Sequence, residues 1–292
     1  MERNNFFSSL IFDSILFMKI KFISKTFLLL YSAANAQMPF SYPDGGGIEG
    51  WLTQMYIFKD VFSKQTQAIK KNRVKSIRFK KPMGETEYFY NENGLNTHYL
   101  FTKEKTSIGR ELKYDSEGRL TEQIRFLKGN VDTILNVNTS LYKYDSEGKL
   151  NKVLDSSNYE GKITGYGKIN YSDNLPVSVM YYLNTDSVPQ LLGQSSIISD
   201  ENGRIISIEF KDTIASVKMK YDGDDVIITN FGKLISHYEI YENRLLSINR
   251  TVFTSFITKY FYNEKGLIEY EIYTETKNGN EEKTIFEYEF YK

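Results

Sequence analysis

Two histidines, His98 and His237, are the side chains of this chain best suited to acid–base chemistry near neutral pH. His237 lies in a strand-like run with Glu239 two residues further on, on the same strand face. A His–carboxylate pair can act as a general base, but an exposed cross-strand pair is far commoner, and neither histidine has a nucleophile motif of the G-x-S-x-G kind beside it. The sequence therefore predicts a non-catalytic protein without a cofactor.

Three carboxylates within four residues form the one candidate cation site: Asp222, Asp224 and Asp225. Calcium is bound by oxygen ligands of this kind. The segment lacks the downstream acidic ligand of an EF-hand loop, and it is one copy of a turn that recurs along the chain. We therefore expect a solvated turn and no metal.

A basic run could recognise a polyanion. Its members are Lys70, Lys71, Arg73, Lys75, Arg78, Lys80 and Lys81. They alternate around Val74, Ile77 and Phe79, which is typical of the solvated face of a strand. We expect this run to form the first strand and to protect a free sheet edge from pairing with another chain.

The chain is rich in aromatic residues, with 23 Tyr, 20 Phe and the single Trp51 in 292 residues. Neighbours such as Tyr181 and Tyr182 must point to opposite faces of a strand, so some rings lie on the polar side. Exposed Tyr rings stack on sugars or anchor a protein partner, which makes Tyr181, Tyr182 and Tyr273 candidate binding residues. The alternative is cross-strand pairing that only stabilises the sheet. Trp51 follows a run of three glycines and is a candidate anchor for the N-terminal segment.

Composition excludes several classes of protein. The 37 basic and 37 acidic residues cancel, so the chain has no overall attraction for nucleic acid. The absence of cysteine excludes disulfide frameworks, thiolate zinc sites and catalytic thiols. With 25% charged and 40% hydrophobic residues, the chain has the composition of a globular protein.

The segment 18–36 has the three parts of a secretory signal, with translation starting at Met18. Lys19, Lys21 and Lys25 supply the positive region, and residues 26–34 supply an apolar stretch shorter than the roughly 20 residues that span a bilayer. Cleavage after Ala36 would leave Gln37 first. The alternatives are a membrane anchor or a buried helix. The sequence therefore predicts a periplasmic or extracellular protein, with no transmembrane helix in the mature chain.

A motif of one residue, tyrosine in seven copies and serine in one, followed by a turn recurs eight times, at start-to-start spacings of 24, 30, 27, 28, 22, 20 and 21 residues. The copies begin at Tyr90, Tyr114, Tyr144, Tyr171, Ser199, Tyr221, Tyr241 and Tyr262. Five copies carry the turn glycine: Gly94, Gly118, Gly148, Gly203 and Gly266. An Asp or Asn opens such a turn through its side-chain oxygen and the glycine closes it with positive φ, which predicts a type I turn with a G1 bulge. A second set of turns, at 128–130, 160–162, 232–233 and 278–279, separates these copies.

Between the turns the strands alternate in polarity, and together they predict an all-β antiparallel meander of about 18 strands. So many consecutive strands cannot stay flat, so the sheet must curl or close like a barrel, with an aromatic face inside and a Lys/Glu face in water. One short amphipathic helix is predicted over 60–72, with Val61 and Ile69 on its apolar side. The domains expected are the signal at 1–36, an extension at 37–73 and the repeats at 74–292.

Two of the copies, Tyr114-Asp-Ser-Glu-Gly-Arg-Leu120 and Tyr144-Asp-Ser-Glu-Gly-Lys-Leu150, resemble the YD repeat of Rhs-type proteins. They are equally similar to secreted β-hairpin-repeat proteins of unknown function with a porin-like, curled β-meander. The resemblance covers roughly 74–292 and implies an extracytoplasmic β-sheet shell or scaffold, sometimes associated with glycans. The copies here are longer and less regular than in Rhs proteins, and no catalytic residues carry over.

Three functions remain after this reasoning. The first is an exported, non-catalytic β-repeat protein that binds a protein or glycan partner at the cell envelope. The second is an outer-membrane β-barrel, which the same alternation permits. The third is a secreted hydrolase, for which the sequence shows no motif. Polar residues within the apolar faces, such as Ser236 and Thr258, favour a water-soluble protein over a membrane barrel.

Overall fold

The computed structural model describes residues 52–129, 134–157, 163–184, 188–211, 216–230, 233–251 and 255–292. The predicted signal, Trp51 and most of the second set of turns lie outside the described residues.

Helical structure in the described residues is confined to their start. A π-helical turn, Thr53–Ile57, leads into helix α1 (Lys59–Lys71). Val61 and Ile69 are buried on one side of the helix, as an eight-residue separation requires. The helix ends at Asn72, and Arg73 leaves it with φ of 54°. The helix predicted over 60–72 is confirmed.

The described residues contain 19 strands. In chain order they are β1 (Val74–Lys81), β2 (Gly84–Tyr90), β3 (Asn96–Lys103), β4 (Thr106–Tyr114), β5 (Leu120–Lys128), β6 (Ile134–Tyr144), β7 (Leu150–Ser157), β8 (Ile163–Ser172), β9 (Leu175–Leu183), β10 (Gln190–Ser199), β11 (Ile205–Phe210), β12 (Ser216–Asp222), β13 (Asp225–Asn230), β14 (Lys233–Tyr241), β15 (Arg244–Arg250), β16 (Phe256–Tyr262), β17 (Ile268–Glu275), β18 (Glu281–Ile285) and β19 (Glu287–Phe290).

From β1 to β18 each strand pairs antiparallel with the next one along the chain, and Phe286 alone separates β18 from β19. Strand β18 pairs with β17, whereas β19 pairs with β1, for example Ile77 with Tyr288. The sheet is therefore a nearly closed, barrel-like meander, which confirms the predicted fold class. Strand β1 has partners on both sides, β19 and β2, so the prediction that its basic residues protect a free edge is wrong.

One hydrophobic cluster occupies the side of the sheet that we call the inner face. It draws residues from strands all round the sheet, such as Ile77, Leu150 and Ile228, and from the helix through Val61 and Ile69. Because side chains alternate along a strand, the intervening residues point to the opposite, outer face. The apolar side chains of the meander therefore meet in a common interior.

Each Asp-x-x-Gly turn is built from its own residues. In the turn after β4, one carboxylate oxygen of Asp115 accepts hydrogen bonds of 2.9 Å from the backbone N–H groups of Glu117 and Arg119. The bond from Arg119 is the main reason that the pKa of Asp115 lies below its usual value. Gly118 has φ of 78°, and Asp115 donates its backbone N–H to the backbone oxygen of Arg119, as in a G1 bulge. A separate register shift follows, where Leu120 pairs with Tyr114 but Glu122 pairs with Lys113. The five turn glycines named above all have φ between 74° and 79°.

A tyrosine ladder joins many of the neighbouring repeats. The hydroxyl of Tyr144 donates a hydrogen bond to the backbone oxygen of Leu120, 2.9 Å away and two residues beyond Gly118. Among the described residues the contact recurs at six places: Tyr114 to Asn96, Tyr144 to Leu120, Tyr171 to Leu150, Tyr221 to Ile205, Tyr262 to Leu245 and Tyr288 to Ile268. Burial raises the pKa of Tyr221 to about 12, so these hydroxyls stay protonated donors at neutral pH.

The remaining residues of the repeat complete this link. The Nε of Arg119 lies 2.7 Å from the second carboxylate oxygen of Asp115, and its guanidinium lies 4.9 Å from the ring centre of Tyr144 in the next repeat. Arg204 makes the same two contacts, with Asp200 and with the ring of Tyr221. A buried leucine or isoleucine follows, such as Leu120. The spacing of Tyr, Asp, Gly, Arg and Leu is thus explained by contacts within and between hairpins.

The ladder gives a first prediction. Replacing Tyr144 by Phe removes one hydroxyl from a largely buried bond, so we expect the free energy of unfolding to fall by about 1 kcal/mol. Tyr182→Phe is the matched control, because the Tyr182 hydroxyl meets only the Met180 sulfur at 3.5 Å. Urea unfolding of both variants measures the difference. Equal midpoints would show that the ladder bond does not stabilise the sheet.

Helix α1 closes the end of the barrel that carries the Asp-x-x-Gly turns. The side-chain amide of Asn72 donates to the backbone oxygen of Lys265, 3.1 Å away, and a Cβ on Gly94 would lie 2.6 Å from the backbone oxygen of Thr66. The ring of Phe58, just before the helix, lies 4.8 Å from that of Tyr238. We call this the helix end and the opposite one the far end.

Candidate functional site

The inner face changes from apolar to polar along the strands. In β4 the inward side chains, counted from the helix end, are Tyr114, Leu112, Arg110 and Ile108. Leu112 is buried, Arg110 is half-buried, and Ile108 is 53% exposed. Polar side chains on the inner face are therefore found toward the far end, where solvent reaches them.

A row of inward side chains crosses β3 to β6 at the level of Arg110. The strand register places Tyr99 opposite Arg110, Arg110 opposite Arg125, and Arg125 opposite Asn138. All four side chains are half-buried. The guanidinium of Arg110 lies 5.3 Å from the ring centre of Tyr99, close enough for a cation–π contact. We call Tyr99, Arg110, Arg125 and Asn138 the arginine row.

One step nearer the helix end, a second row lies deeper. Here Leu112 faces Gln123, Gln123 faces Ser140, and Ser140 faces Asp155. The Ser140 hydroxyl donates to Asp155 over 2.6 Å. Gln123 is 1% exposed, and neither its amide oxygen nor its nitrogen has a hydrogen-bond partner among the described residues.

Together these residues form a mixed aromatic and polar patch of the inner face, which we call the inner recess. Ile108, opposite Leu127, lies at the rim, the arginine row lies below it, and Gln123 lies at the bottom. The buried oxygen of Asn138 also has no hydrogen-bond partner within the described ranges. The inner recess therefore brings aromatic, cationic and amide groups together on the inner face.

Charge is unevenly distributed over the inner face. Along β4 to β7 the described charges that face inward are Arg110, Arg125 and Asp155. Along β17 and β18 the inward charges are acidic and include Glu271, which is fully buried and ion-paired with Lys81 of β1. Burial raises the pKa of Glu271 and the Lys81 ammonium lowers it. Buried Arg250 of β15 also lies on the inner face near these acidic strands, so both parts of the interior carry cations.

The three predicted binding tyrosines do not form one site. Tyr181 faces inward and packs against the core, whereas Tyr182 faces outward and stacks on Tyr166 at 4.7 Å. Tyr273 faces inward on another part of the sheet, 5.1 Å from the ring of Phe256. Tyr181 and Tyr182 lie on opposite faces because side chains alternate along a strand. All three rings make cross-strand or core contacts, which are the contacts expected of tyrosines that stabilise the sheet.

The two histidines have structural surroundings. His98 faces outward between the rings of Phe89 and Phe126, at 5.5 and 5.4 Å, and burial lowers its pKa. His237 lies 3.2 Å from Asp225, not against Glu239 as the sequence suggested. Glu239 accepts a hydrogen bond from Ser247.

The candidate cation site does not assemble. Asp225 accepts a hydrogen bond of 2.8 Å from the backbone N–H of Ile240 in addition to its contact with His237. Asp222 lies opposite Asp225 across the hairpin turn. In the described ranges no group of three His, Cys, Asp or Glu side chains is placed to hold a metal ion.

Sequence reasoning missed the arginine row and Gln123. Plain alternation from Leu120 would send Gln123 and Arg125 outward, because odd and even positions point oppositely. A second bulge just beyond the turn makes Thr121 an extra residue, since Leu120 pairs with Tyr114 but Glu122 pairs with Lys113, so Gln123 and Arg125 face inward with Leu120. An alternation pattern that allows for one extra residue after Leu120 would have predicted Gln123 and Arg125 as inward-facing.

No protein-family model matches this chain, and no curated protein matches it. Among solved structures, it is similar to a porin-like protein from Bacteroides uniformis, with 10% identity, TM-score 0.35, and 75% of this chain and 97% of that chain covered. The Tc holotoxin pore of Photorhabdus luminescens matches with 12% identity and TM-score 0.32 over 68% of this chain and 14% of the toxin chain. A protein of unknown function from Bacteroides fragilis matches with 15% identity and TM-score 0.28, over 41% of this chain and 88% of that one.

This chain thus spans about a seventh of the toxin chain. Likenesses of this size carry no conclusion about what the chain binds. Within the described residues, no helix has the length and apolar character needed to cross a membrane.

Proposed function

We propose that this chain is an exported, non-catalytic protein built of YD-type hairpin repeats, and that it binds a glycan partner at the cell envelope. The inner recess is the observation that carries the proposal. It lies on the inward side of the curled sheet, and it combines the half-buried Tyr99 ring with the planar polar groups of Arg110, Arg125 and Asn138. Concave sites with a few converging polar groups are typical of small-molecule recognition.

A glycan suits this recess better than a folded protein does. Stable protein–protein interfaces need about 800 Å² on each partner, usually on open surfaces. The recess lies inside a sheet that curls round almost completely, and Ile108 at its rim is exposed. An extended sugar chain is narrower than a folded protein, and Tyr rings stack on sugars.

The outer face supports a water-soluble form over the outer-membrane alternative. It carries charged cross-strand pairs, such as Lys113 with Glu122 at 2.7 Å and Arg78 with Glu87 at 3.0 Å. Lys or Arg on the lipid face of a membrane barrel costs about 2–4 kcal/mol at the bilayer midplane. These residues belong to the strand face that a membrane barrel would present to lipid.

Export is tested on the mature protein. N-terminal sequencing is expected to begin at Gln37, because the Ala34-Asn35-Ala36 site ends the signal. The protein is also expected to be extracted without detergent. Retention of residues 1–17 on the mature chain, or a protein that folds only in detergent, would contradict this part of the proposal.

Binding is tested by calorimetric titration of the mature chain with a panel of neutral and acidic oligosaccharides. We expect at least one to bind, and Arg110→Gln to weaken that binding. Tyr182→Ala, on the outer face, is expected to leave the affinity unchanged. The absence of binding by every oligosaccharide, or binding that depends on Tyr182 and not on Arg110, would contradict a glycan site in the recess.

A further inference from the structure

Strands β6 to β10 carry almost no acidic side chains. Within the bounds of these five strands the single carboxylate is that of Asp155, which faces inward beside Ser140. The outward side chains of these strands therefore include no Asp or Glu. Their charged members are three lysines.

The three lysines lie side by side on the outer face. Lys143 of β6 pairs with Lys152 of β7, and Lys152 pairs with Lys168 of β8. Neighbouring strands are about 4.8 Å apart, and like charges directly opposite one another destabilise a sheet. We call Lys143, Lys152 and Lys168 the lysine row. A sheet that keeps such a row at a cost in stability has the character of a functional surface.

The described residues place no carboxylate against the lysine row. Lys143 and Lys168 are exposed and form no ion pair within the described ranges. The Lys152 ammonium lies 3.4 Å from the ring centre of Tyr166, a cation–π contact that leaves its charge in place. Glu122, on the neighbouring strand β5, is held 2.7 Å from Lys113. The lysine row therefore presents positive charge to a partner at the outer face.

A row of apolar side chains runs beside the lysine row, one step nearer the far end. The register pairs Leu141 with Leu154, Leu154 with Tyr166, and Tyr166 with Tyr182. These four side chains are half-buried, and Leu191, opposite Tyr182 on β10, is 51% exposed. We call Leu141, Leu154, Tyr166, Tyr182 and Leu191 the apolar row.

The two rows together distinguish between anionic partners. A soluble polyanion would use the lysines and gain nothing from the leucines beside them. The rings of Tyr166 and Tyr182 stack on each other at 4.7 Å, so a nucleic-acid base would have to separate them. A lipid surface uses both rows, because anionic headgroups attract lysines while leucine and tyrosine side chains enter the boundary between headgroups and acyl chains.

We infer that the lysine row and the apolar row form a docking surface for an anionic membrane surface. The contact is peripheral and electrostatic in part, so added salt releases it, in keeping with extraction without detergent. This surface lies on the outer face of the sheet. It does not depend on the proposed glycan binding in the inner recess.

Flotation of the mature chain with lipid vesicles tests the inference. We expect binding to vesicles of phosphatidylcholine mixed with phosphatidylglycerol, much less binding to phosphatidylcholine alone, and release from the anionic vesicles as salt is added. Lys143→Gln combined with Lys168→Gln should weaken binding to the anionic vesicles about tenfold or more, since each lysine at such a surface contributes a factor of about five. Both side chains are exposed, so this variant is expected to fold.

Two lysines on another part of the outer face provide the matched control. Lys218 and Lys220 are exposed on the outward side of β12, and Lys218→Gln combined with Lys220→Gln makes the same change in net charge. This pair should leave vesicle binding unchanged. Leu191→Ser, which removes an exposed member of the apolar row, should weaken binding severalfold.

The other outcomes overturn the inference. Equal binding to neutral and anionic vesicles, or binding to neither, would contradict a docking surface for anionic lipid. Equal losses in the two lysine pairs would show that the attraction does not come from the lysine row. Polyglutamate bound as tightly as the anionic vesicles, with Leu191→Ser without effect on either, would assign the row to a soluble polyanion instead of a lipid surface. None of these results bears on the titration with oligosaccharides, so failure here and failure of the proposed function are distinguishable.

Discussion

Replacing Lys81 by Met is expected to lower the free energy of unfolding by about 3 kcal/mol or more at pH 7, because it leaves the Glu271 carboxylate buried without its counter-charge. Glu271 is fully buried and the Lys81 side chain is 26% exposed. Removal of both charges, in Lys81→Met with Glu271→Met, is expected to restore stability close to that of the unmodified protein. Urea unfolding measures all three. Lys80→Met, from the outward side of β1, is the matched control and should cost little.

The Lys81→Met deficit should depend on pH. Burial raises the pKa of Glu271 above its ordinary 4.5, so the folded state disfavours the ionised form. The resulting penalty is absent below about pH 4.5 and grows as pH rises through the raised pKa of the folded state. We therefore expect the variant to lose least stability near pH 4 and most at neutral pH. A deficit that does not change with pH would show that Glu271 is not the group left uncompensated.

Gly94→Ala is expected to be the most damaging of the turn-glycine substitutions. Gly94 and Gly118 have the same backbone conformation, with φ of 77° and 78°. An alanine Cβ at 94 would lie 2.6 Å from the backbone oxygen of Thr66 in helix α1, whereas at 118 it would make an ordinary contact of 3.5 Å with Leu95. Positive φ costs an alanine about 1–2 kcal/mol at both sites.

Only the 94 variant must also displace the helix and expose Val61 and Ile69, so we expect a total loss of about 3 kcal/mol or more there. Urea unfolding measures the two losses, and limited proteolysis shows whether the helix is released. Equal losses for Gly94→Ala and Gly118→Ala would show that helix α1 does not rest on this turn.

Local structure was predictable from the sequence where it depends on contacts between residues that are close in the chain. Helix α1 follows from its apolar periodicity, and the turns follow from the Asp or Asn oxygen that binds backbone N–H groups two and four residues on, as Asp115 does. The curled meander follows from the number of strands. All of these depend on contacts between residues close in the sequence.

The features that the sequence did not predict depend on pairing between distant strands, or on a bulge that changes which residues of a strand face inward. Strand β1 pairs with β19, more than 200 residues away, and no local pattern marks that partnership. His237 meets Asp225 from the neighbouring strand, while alternation within one strand suggested Glu239. Gln123 and Arg125 face inward because a single bulge residue reverses the alternation. The candidate site lies on this unpredicted part of the fold.

The claim that a ligand binds on the inner face is tested most directly by cysteine protection, because the chain contains no cysteine of its own. Ile108→Cys places a thiol at the rim of the inner recess, and Lys113→Cys places one on the outer face of the same strand. The oligosaccharide that binds in the calorimetric titration is expected to slow alkylation at 108 and to leave the rate at 113 unchanged. Unchanged rates at both positions, or protection at 113 alone, would contradict binding inside the barrel.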